Sequence, residues 1–178
     1  MKPGEGSRAG AADTVRDERP YAVLDIDATL SDVRHRLHHI RRRPKDWDAF
    51  FAAAGDDPPL AEGVSVAATL AQDHEIVYLT GRPERIRAVT EAWLRRYGLP
   101  PGRLLMRRDN DRRPSAVMKL SRLRRLAAER RVAVLVDDDV AVCAAAEAEG
   151  FPVMRADWAL DDGTRPTLLD AQERNGRT

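Results

Sequence analysis

The sequence predicts an α/β fold. It is a three-layer, Rossmann-like arrangement of a five-stranded parallel sheet, with helices on both faces and a small helical insert after the first strand. Three observations carry this. Short apolar runs alternate five times with segments of helical periodicity, the pattern of parallel strands joined by crossover helices. Three of these runs end in polar clusters, at Asp25, Thr80 and Asp137, and such sheets bind ligands outside the carboxyl ends of their strands. The 178 residues are enough for one domain with a substantial core.

Residues 1–19 are rich in Gly, Ala, Asp and Arg and lack periodicity. A loosely ordered tail is expected there, ahead of a domain over 20–160. The first strand covers 20–25, with Pro20 at its entry. Residues 31–57 form an insert too short to be an independent domain. Within it, Val33, Leu37 and Ile40 have helical spacing up to Arg41-Arg42-Arg43-Pro44. Asp46 can cap a second short helix with Trp47, Phe50 and Phe51 on one face. Asp56-Asp57-Pro58-Pro59 reads as a loop, and 60–72 as a helix.

A strand over Glu75–Leu79 then ends in Thr80-Gly81-Arg82-Pro83, where Pro83 suits a first helical turn. The helix after it runs to Tyr97, with Ile86, Val89, Trp93 and Leu94 as its apolar face, and stops at Gly98. Leu104–Met106 is a short strand and Arg107–Pro114 a charged loop. A helix over 115–130 turns Val117, Leu120, Leu123 and Leu126 inward. Val132–Val136 is a fully apolar strand ending in Asp137-Asp138-Asp139. The next helix reaches Glu149, Gly150 caps it, and Phe151–Met154 is the last strand. Residues 161–178 are expected to form an irregular tail.

Composition excludes several classes. Net charge is +1, so no global basic field attracts nucleic acid. Aromatic residues are 5% of the chain, which argues against a stacking platform for single strands. The single cysteine, Cys143, excludes an intrachain disulfide and reads as a small core residue in an Ala-rich helix. No apolar run is long enough to span a membrane, and residues 1–20 lack the apolar core of a secretory signal. A cytoplasmic protein with no membrane partner is expected. A homo-oligomer is left open.

The chemistry concentrates at the first strand's end. Asp25 and Asp27 are two apart, so they are expected to point the same way. Two such acids repel, and burial sharpens the repulsion unless a cation sits between them or one is protonated. Asp25 suits a nucleophile, since a carboxylate is ionised at neutral pH and needs no general base. Its charge repels a phosphoryl group, which calls for a divalent cation. Mg²⁺ takes oxygen ligands. Asp25, Asp137 and Asp138 are expected to supply carboxylates, and Asp27 its main-chain oxygen. Asp27 can then protonate the leaving oxygen and later deprotonate water, with a pKa raised by burial and neighbouring anions. Thr80 can donate to a phosphoryl oxygen, and Lys119 can balance negative charge. Singly, each feature has an ordinary reading as a turn, a helix cap or a surface lysine. Their order on successive strand ends makes coincidence a poor explanation.

These motifs, Asp25-x-Asp27-x-Thr29, apolar-Thr80-Gly81-Arg82, Lys119 and apolar-Asp137-Asp138, resemble those of the haloacid dehalogenase-like phosphohydrolase superfamily over about residues 20–157. Thr80-Gly81-Arg82-Pro83-Glu84, the stretch Arg107–Lys119, and Arg36 make the chain most similar to the phosphatase domain of phage-type polynucleotide kinase-phosphatases. That resemblance implies a 3′-phosphatase acting on nucleic-acid ends or nucleotides. Arg36 and Arg82, with Thr29 and Gly81, would contact the substrate. Ala28 stands where the family usually has glycine, and Ser115 where the phage-type pattern often has an acid. Asp137 or Asp138 is then expected to orient Lys119. No Gly-rich phosphate loop of the kinase type occurs in the sequence.

His35 and His39 share a helical face but have no third ligand at suitable spacing, so they are expected to be solvated or near the substrate. Arginines at 34, 36 and 41–43 with Lys45, and arginines at 107, 108, 112 and 113, form two basic clusters that can meet phosphates or simply be solvated. Three functions stay in play: a polynucleotide or nucleotide 3′-phosphatase, a phosphatase of small molecules, and a catalytically weak phospho-ligand or nucleic-acid binder.

Overall fold

The computed structural model describes residues 19–41 and 43–159. Of the expected tails at 1–19 and 161–178, all but Arg19 lies outside the described residues. Five strands, β1 (Tyr21–Leu24), β2 (Glu75–Pro83), β3 (Gly102–Arg107), β4 (Val132–Asp137) and β5 (Val153–Arg155), form one sheet in the order β3-β2-β1-β4-β5. Each pairing is parallel. Leu24 sits opposite Tyr78 of β2 and Val136 of β4. The strand ends that carry Asp25, Thr80 and Asp137 are therefore level with one another.

Alternation along the strands splits the core in two. Ala22, Leu24, Ile76 and Tyr78 pack with α3 (Ala61–Asp73) and α4 (Arg87–Arg96), through Ala67, Trp93 and Leu94. Tyr21, Val23, Val77, Leu79 and Leu135 pack with α5 (Ser115–Glu129) and α6 (Val140–Ala148), through Met118, Leu123, Leu126, Val142 and Ala146. By the same parity Asp25 faces the α5 side, the helix that carries Lys119.

Residues 31–57 break into short pieces. A 3-10 turn at Arg34–Arg36 precedes α1 (His38–Arg41), and α2 (Trp47–Ala52) follows with Asp46 capping it through the Ala49 N–H at 2.8 Å. Val33, Leu37, Ile40, Phe50, Phe51 and Ala54 form a third cluster with Ile86 and Met106, and Ala28 packs against it. The insert is thus seated on the site loop and on the ends of β2 and β3.

Several expectations are corrected. Strand β2 continues through Thr80 and Gly81 to Pro83, which pairs with Arg107. Pro83 is extended, at φ −73° and ψ 150°, so it ends a strand; a 3-10 turn at Glu84–Ile86 comes before α4. The ring locks φ at a value both conformations share, so residue type alone cannot choose between them. Strand β3 begins earlier than expected, at Gly102, which pairs with Ile76 so closely that a Cβ there would lie 2.4 Å from the Ile76 carbonyl oxygen. Val117 is half exposed (50%), and Met118 and Lys119 are buried in its place. The helix rotates to bring Lys119 inward, which hydrophobicity alone could not foresee. Val89 likewise faces out. Cys143 is buried, as a core residue should be. Among the described residues no helix is long and apolar enough to cross a membrane.

Candidate active site

The loop after β1 folds tightly on one carbonyl. Thr29, Leu30 and Ser31 all donate their N–H groups to the Ile26 oxygen, at 3.3, 2.8 and 2.9 Å. This turn puts Ala28 at φ 59°, a left-handed conformation that costs an L-residue about 1–2 kcal/mol. Alanine in place of the family's usual glycine is therefore a strained choice in this fold. Two residues that sequence reasoning missed shape the loop. Gly63 of α3 leaves room for the Thr29 carbonyl, which would lie 2.1 Å from a Cβ there. Trp158 donates its indole N–H to the same oxygen at 2.9 Å.

Asp25, Lys119, Asp137 and Asp138 meet beneath this loop, all buried. The Lys119 ammonium donates to Asp137 at 2.7 Å and lies 2.9 Å from Asp25 Oδ2. Asp137 thus orients the lysine, as expected. Oxygens of Asp25, Asp137 and Asp138 lie within 4.8 Å of one another. Burial, then the charges of Asp137 and Asp27, push the Asp25 carboxyl up to about 7 against the pull of Lys119. Asp138 is raised well above the carboxylate range by burial and by Asp137 and Asp25. For Lys119, burial lowers the pKa, but Asp137 and Asp25 outweigh it and the net shift is upward.

Three carboxylates against one ammonium leave an excess of buried negative charge. Asp25 Oδ1 is also a buried acceptor with no hydrogen-bond partner among the described residues. An all-oxygen donor set with an orphaned acceptor fits a hard cation. Around this centre, Thr29 Oγ1 donates to Asp138 at 3.5 Å, and the buried Thr80 hydroxyl accepts the Arg82 N–H at 3.1 Å. Asp139 is diverted to capping α6, accepting from the Ala141 and Val142 N–H groups.

Asp27 does not share a cation with Asp25. Strand β1 stops at Leu24 and the chain turns on the Ile26 carbonyl, so the alternation that still places Asp25 no longer governs Asp27. Each acid has its own cations. Asp27 Oδ1 accepts from Arg36 Nη2 at 2.8 Å and from Arg82 Nε at 2.7 Å. Both arginines are fully buried, and Arg36 lies over the Phe50 ring at 4.1 Å. The expected rise in the Asp27 pKa is reversed. Burial raises it, but Arg36 and Arg82 together hold the carboxyl well below the usual range.

The same arginines meet a residue that the sequence offered only as part of a loop. Asp57 accepts from Arg36 Nε and Nη2 and from Arg82 Nη2, each at 2.7 Å. Its own carbonyl takes the Trp93 indole N–H at 2.7 Å. His35 Nε2 lies 2.8 Å from Asp57 Oδ1, so this histidine has a structural partner. No sequence signal marked Asp57, because the burial of Arg36 and Arg82 that calls for a second acid is visible only in the structure. Arg82 Nη1 is a buried donor with no partner among the described residues.

Comparison with known proteins agrees with this geometry. The family model described as "Polynucleotide kinase PNKP phosphatase domain" matches residues 20–158. A chain of the Pnkp1/Rnl/Hen1 RNA repair complex is similar at 25% identity and TM-score 0.64, covering 82% of this chain and 46% of that one. A second structure of the Pnkp1/Rnl/Hen1 complex gives 26% identity and TM-score 0.62, covering 76% of this chain and 45% of that one. The chain therefore spans less than half the length of those relatives. The HAD-hydrolase YfnB from Bacillus subtilis, at 10% identity and TM-score 0.55 over 79% of this chain and 89% of that one, shares the fold. No curated protein matches. The chain belongs to the polynucleotide kinase PNKP phosphatase domain family, within the haloacid dehalogenase-like phosphohydrolases.

Proposed function

We propose that the protein is a Mg²⁺-dependent phosphomonoesterase that removes 3′-phosphates from nucleic-acid ends or nucleotides through an aspartyl-phosphate on Asp25. The observation that carries this reading is the Asp25 carboxylate at the end of β1, with Oδ2 beside Lys119 and Oδ1 without a hydrogen-bond partner among the described residues. Asp25, Asp137 and Asp138 would hold Mg²⁺, which supplies charge neutralisation for the phosphoryl oxygens.

In the first half-reaction an Asp25 oxygen forms a bond to phosphorus while the ester P–O bond breaks. Asp27 gives its proton to the leaving oxygen. In the second, water loses a proton to Asp27 and attacks phosphorus, the Asp25–phosphorus bond breaks, and phosphate leaves with Asp25 restored. Asp27 thus ends each cycle with the proton it needs for the next. Arg36 and Arg82 keep it ionised and a weak base in the free protein, so on this reading the first proton enters with the substrate, bound as the monoanion of the phosphate monoester. We assign Arg36 and Arg82 to holding Asp27 in place, because their guanidiniums already serve Asp27 and Asp57. Lys119 balances the charge of Asp25. Thr80, Thr29 and Gly81 line the phosphate position.

The nucleic-acid preference is supported by the family and by likeness to Pnkp1 of an RNA repair complex. On that reading the partners are nucleic-acid ends and proteins of their repair. The test is a phosphate-release screen with Mg²⁺, setting 3′- and 5′-phosphorylated oligonucleotides against mononucleotides, sugar phosphates and an aryl phosphate. Preference for the 3′-phosphorylated oligonucleotide is the expected result. Equal or faster release from sugar phosphates would place the enzyme among small-molecule phosphatases.

A further inference from the structure

A cleft of about 570 Å³ opens beside the ends of β2 and β3 and lies outside the groups used above. One wall is the insert, with Trp47 and Phe51. The other is the charged loop, with Arg107, Arg108 and Arg112, and Pro83 and Arg85 form the floor. It lies two strands from β1, about 10 Å at the usual spacing, on the same sheet edge as Asp25. That separation is of the order of one nucleotide's length.

The cleft has an aromatic side and a cationic side. Trp47 is partly exposed, and its ring stacks on Phe51 at 5.9 Å and meets Phe50 edge-on at 5.7 Å, so the indole is braced. Of the acids present, Asp46 caps α2, Asp48 and Asp109 face Arg85, and Asp111 pairs with Arg113 and faces Arg107 at 3.9 Å. Arg108 and Arg112 are exposed and have no acidic partner among the described residues. Arg107 is 3% exposed, and its Nε is a buried donor without a hydrogen-bond partner among the described residues. Nearby, Arg122 has its pKa lowered by burial and by Arg108, Arg125 and Arg113, so the positive charge on this side is poorly compensated. A buried guanidinium with one unsatisfied N–H (its Nη1 already donates to the Asp111 and Arg113 carbonyls), uncompensated arginines and a braced indole are complementary to one chemical object: a nucleotide, with a base to stack and a phosphate to neutralise.

We propose that this cleft seats the nucleotide adjoining the scissile phosphate, with its base against Trp47 and its phosphate facing Arg107, Arg108 and Arg112. The proposal rests on the phosphatase reading and deepens it. The low aromatic content of the chain rules out an extended stacking track, but one base needs one indole. Stacking tolerates any base, so this subsite selects for a nucleic-acid substrate without selecting its sequence.

The test compares Trp47→Ala and the double variant Arg108→Ala/Arg112→Ala with the wild type. It uses two substrates, a short 3′-phosphorylated oligonucleotide and p-nitrophenyl phosphate. Each variant is expected to lower the ratio of kcat/KM for the oligonucleotide to kcat/KM for the aryl phosphate by about tenfold or more. The arginine variant is also expected to flatten the salt dependence of oligonucleotide turnover. Ratios within twofold of wild type in both variants overturn the proposal. If the wild type releases phosphate from neither substrate, the phosphatase reading fails. Binding of a labelled 3′-phosphorylated oligonucleotide then tests the cleft alone: weaker binding by both variants supports it, and equal binding overturns it. Unchanged circular dichroism and melting temperature identify variants that are properly folded.

Discussion

Asp27 and Asp57 share the guanidinium of Arg82, which donates from Nε to Asp27 and from Nη2 to Asp57, each at 2.7 Å. Arg36 repeats the arrangement from the other side, and both arginines are fully buried. Four charges in one largely buried cluster sum to zero, which is why the cluster is tolerable at all. Replacing Asp57 by Asn leaves two buried cations facing one carboxylate. Asp57→Asn is expected to destabilise the fold by about 3–5 kcal/mol, the usual cost of breaking a buried ion pair. Equilibrium urea unfolding checks it, and a loss below about 1 kcal/mol would show that the cluster rearranges.

Asp25→Asn removes the proposed nucleophile while keeping its shape. Turnover is expected to fall by on the order of a thousandfold or more, as with other covalent nucleophiles. Folding should survive, since Lys119 keeps Asp137 at 2.7 Å. Phosphate release at the wild-type rate from the folded variant would rule out the aspartyl-phosphate route.

The buried acids link stability to pH and to metal. The Asp25 carboxyl is raised to about 7, chiefly by burial, and Asp138 is raised too. An acid whose pKa is higher in the folded state binds protons more tightly there. Its contribution to stability is full below its unfolded pKa and is lost as pH rises through the folded value. Without metal, stability should therefore decline between about pH 4 and 8 at these groups. A divalent cation offsets the charge of the ionised form, so Mg²⁺ should raise the melting temperature more at pH 8 than at pH 5.5, and chelator should abolish the difference. Thermal melts at the two pH values, with and without Mg²⁺, decide this. An equal rise at both would argue against the three acids as the binding site.

Ala28 sits at φ 59° in the loop after Asp25. Ala28→Gly relieves a left-handed alanine but gives up chain stiffness and the methyl's packing on the insert. A net gain of about 0.5–1 kcal/mol is expected, with kcat equal to or above wild type. Ala28→Val should instead destabilise, because branching worsens the same clash. Denaturant melts of the two variants check both directions.

The sequence by itself determined the strand ends and the residues on them. Buried parallel strands are short apolar runs, so Asp25, Thr80 and Asp137 stood out where those runs stop. Helical periodicity placed the covering helices for the same local reason. Only the tertiary structure decided which charges meet. It brought Asp57 from an apparent loop to Arg36 and Arg82, and so turned the Asp27 pKa downward instead of upward. It rotated α5 to bury Lys119 and expose Val117, carried β2 on to Pro83, and used Gly63 and Trp158 to hold the Thr29 carbonyl. Periodicity is written in neighbouring residues, whereas ion pairs and close backbone contacts depend on segments that only the folded chain brings together.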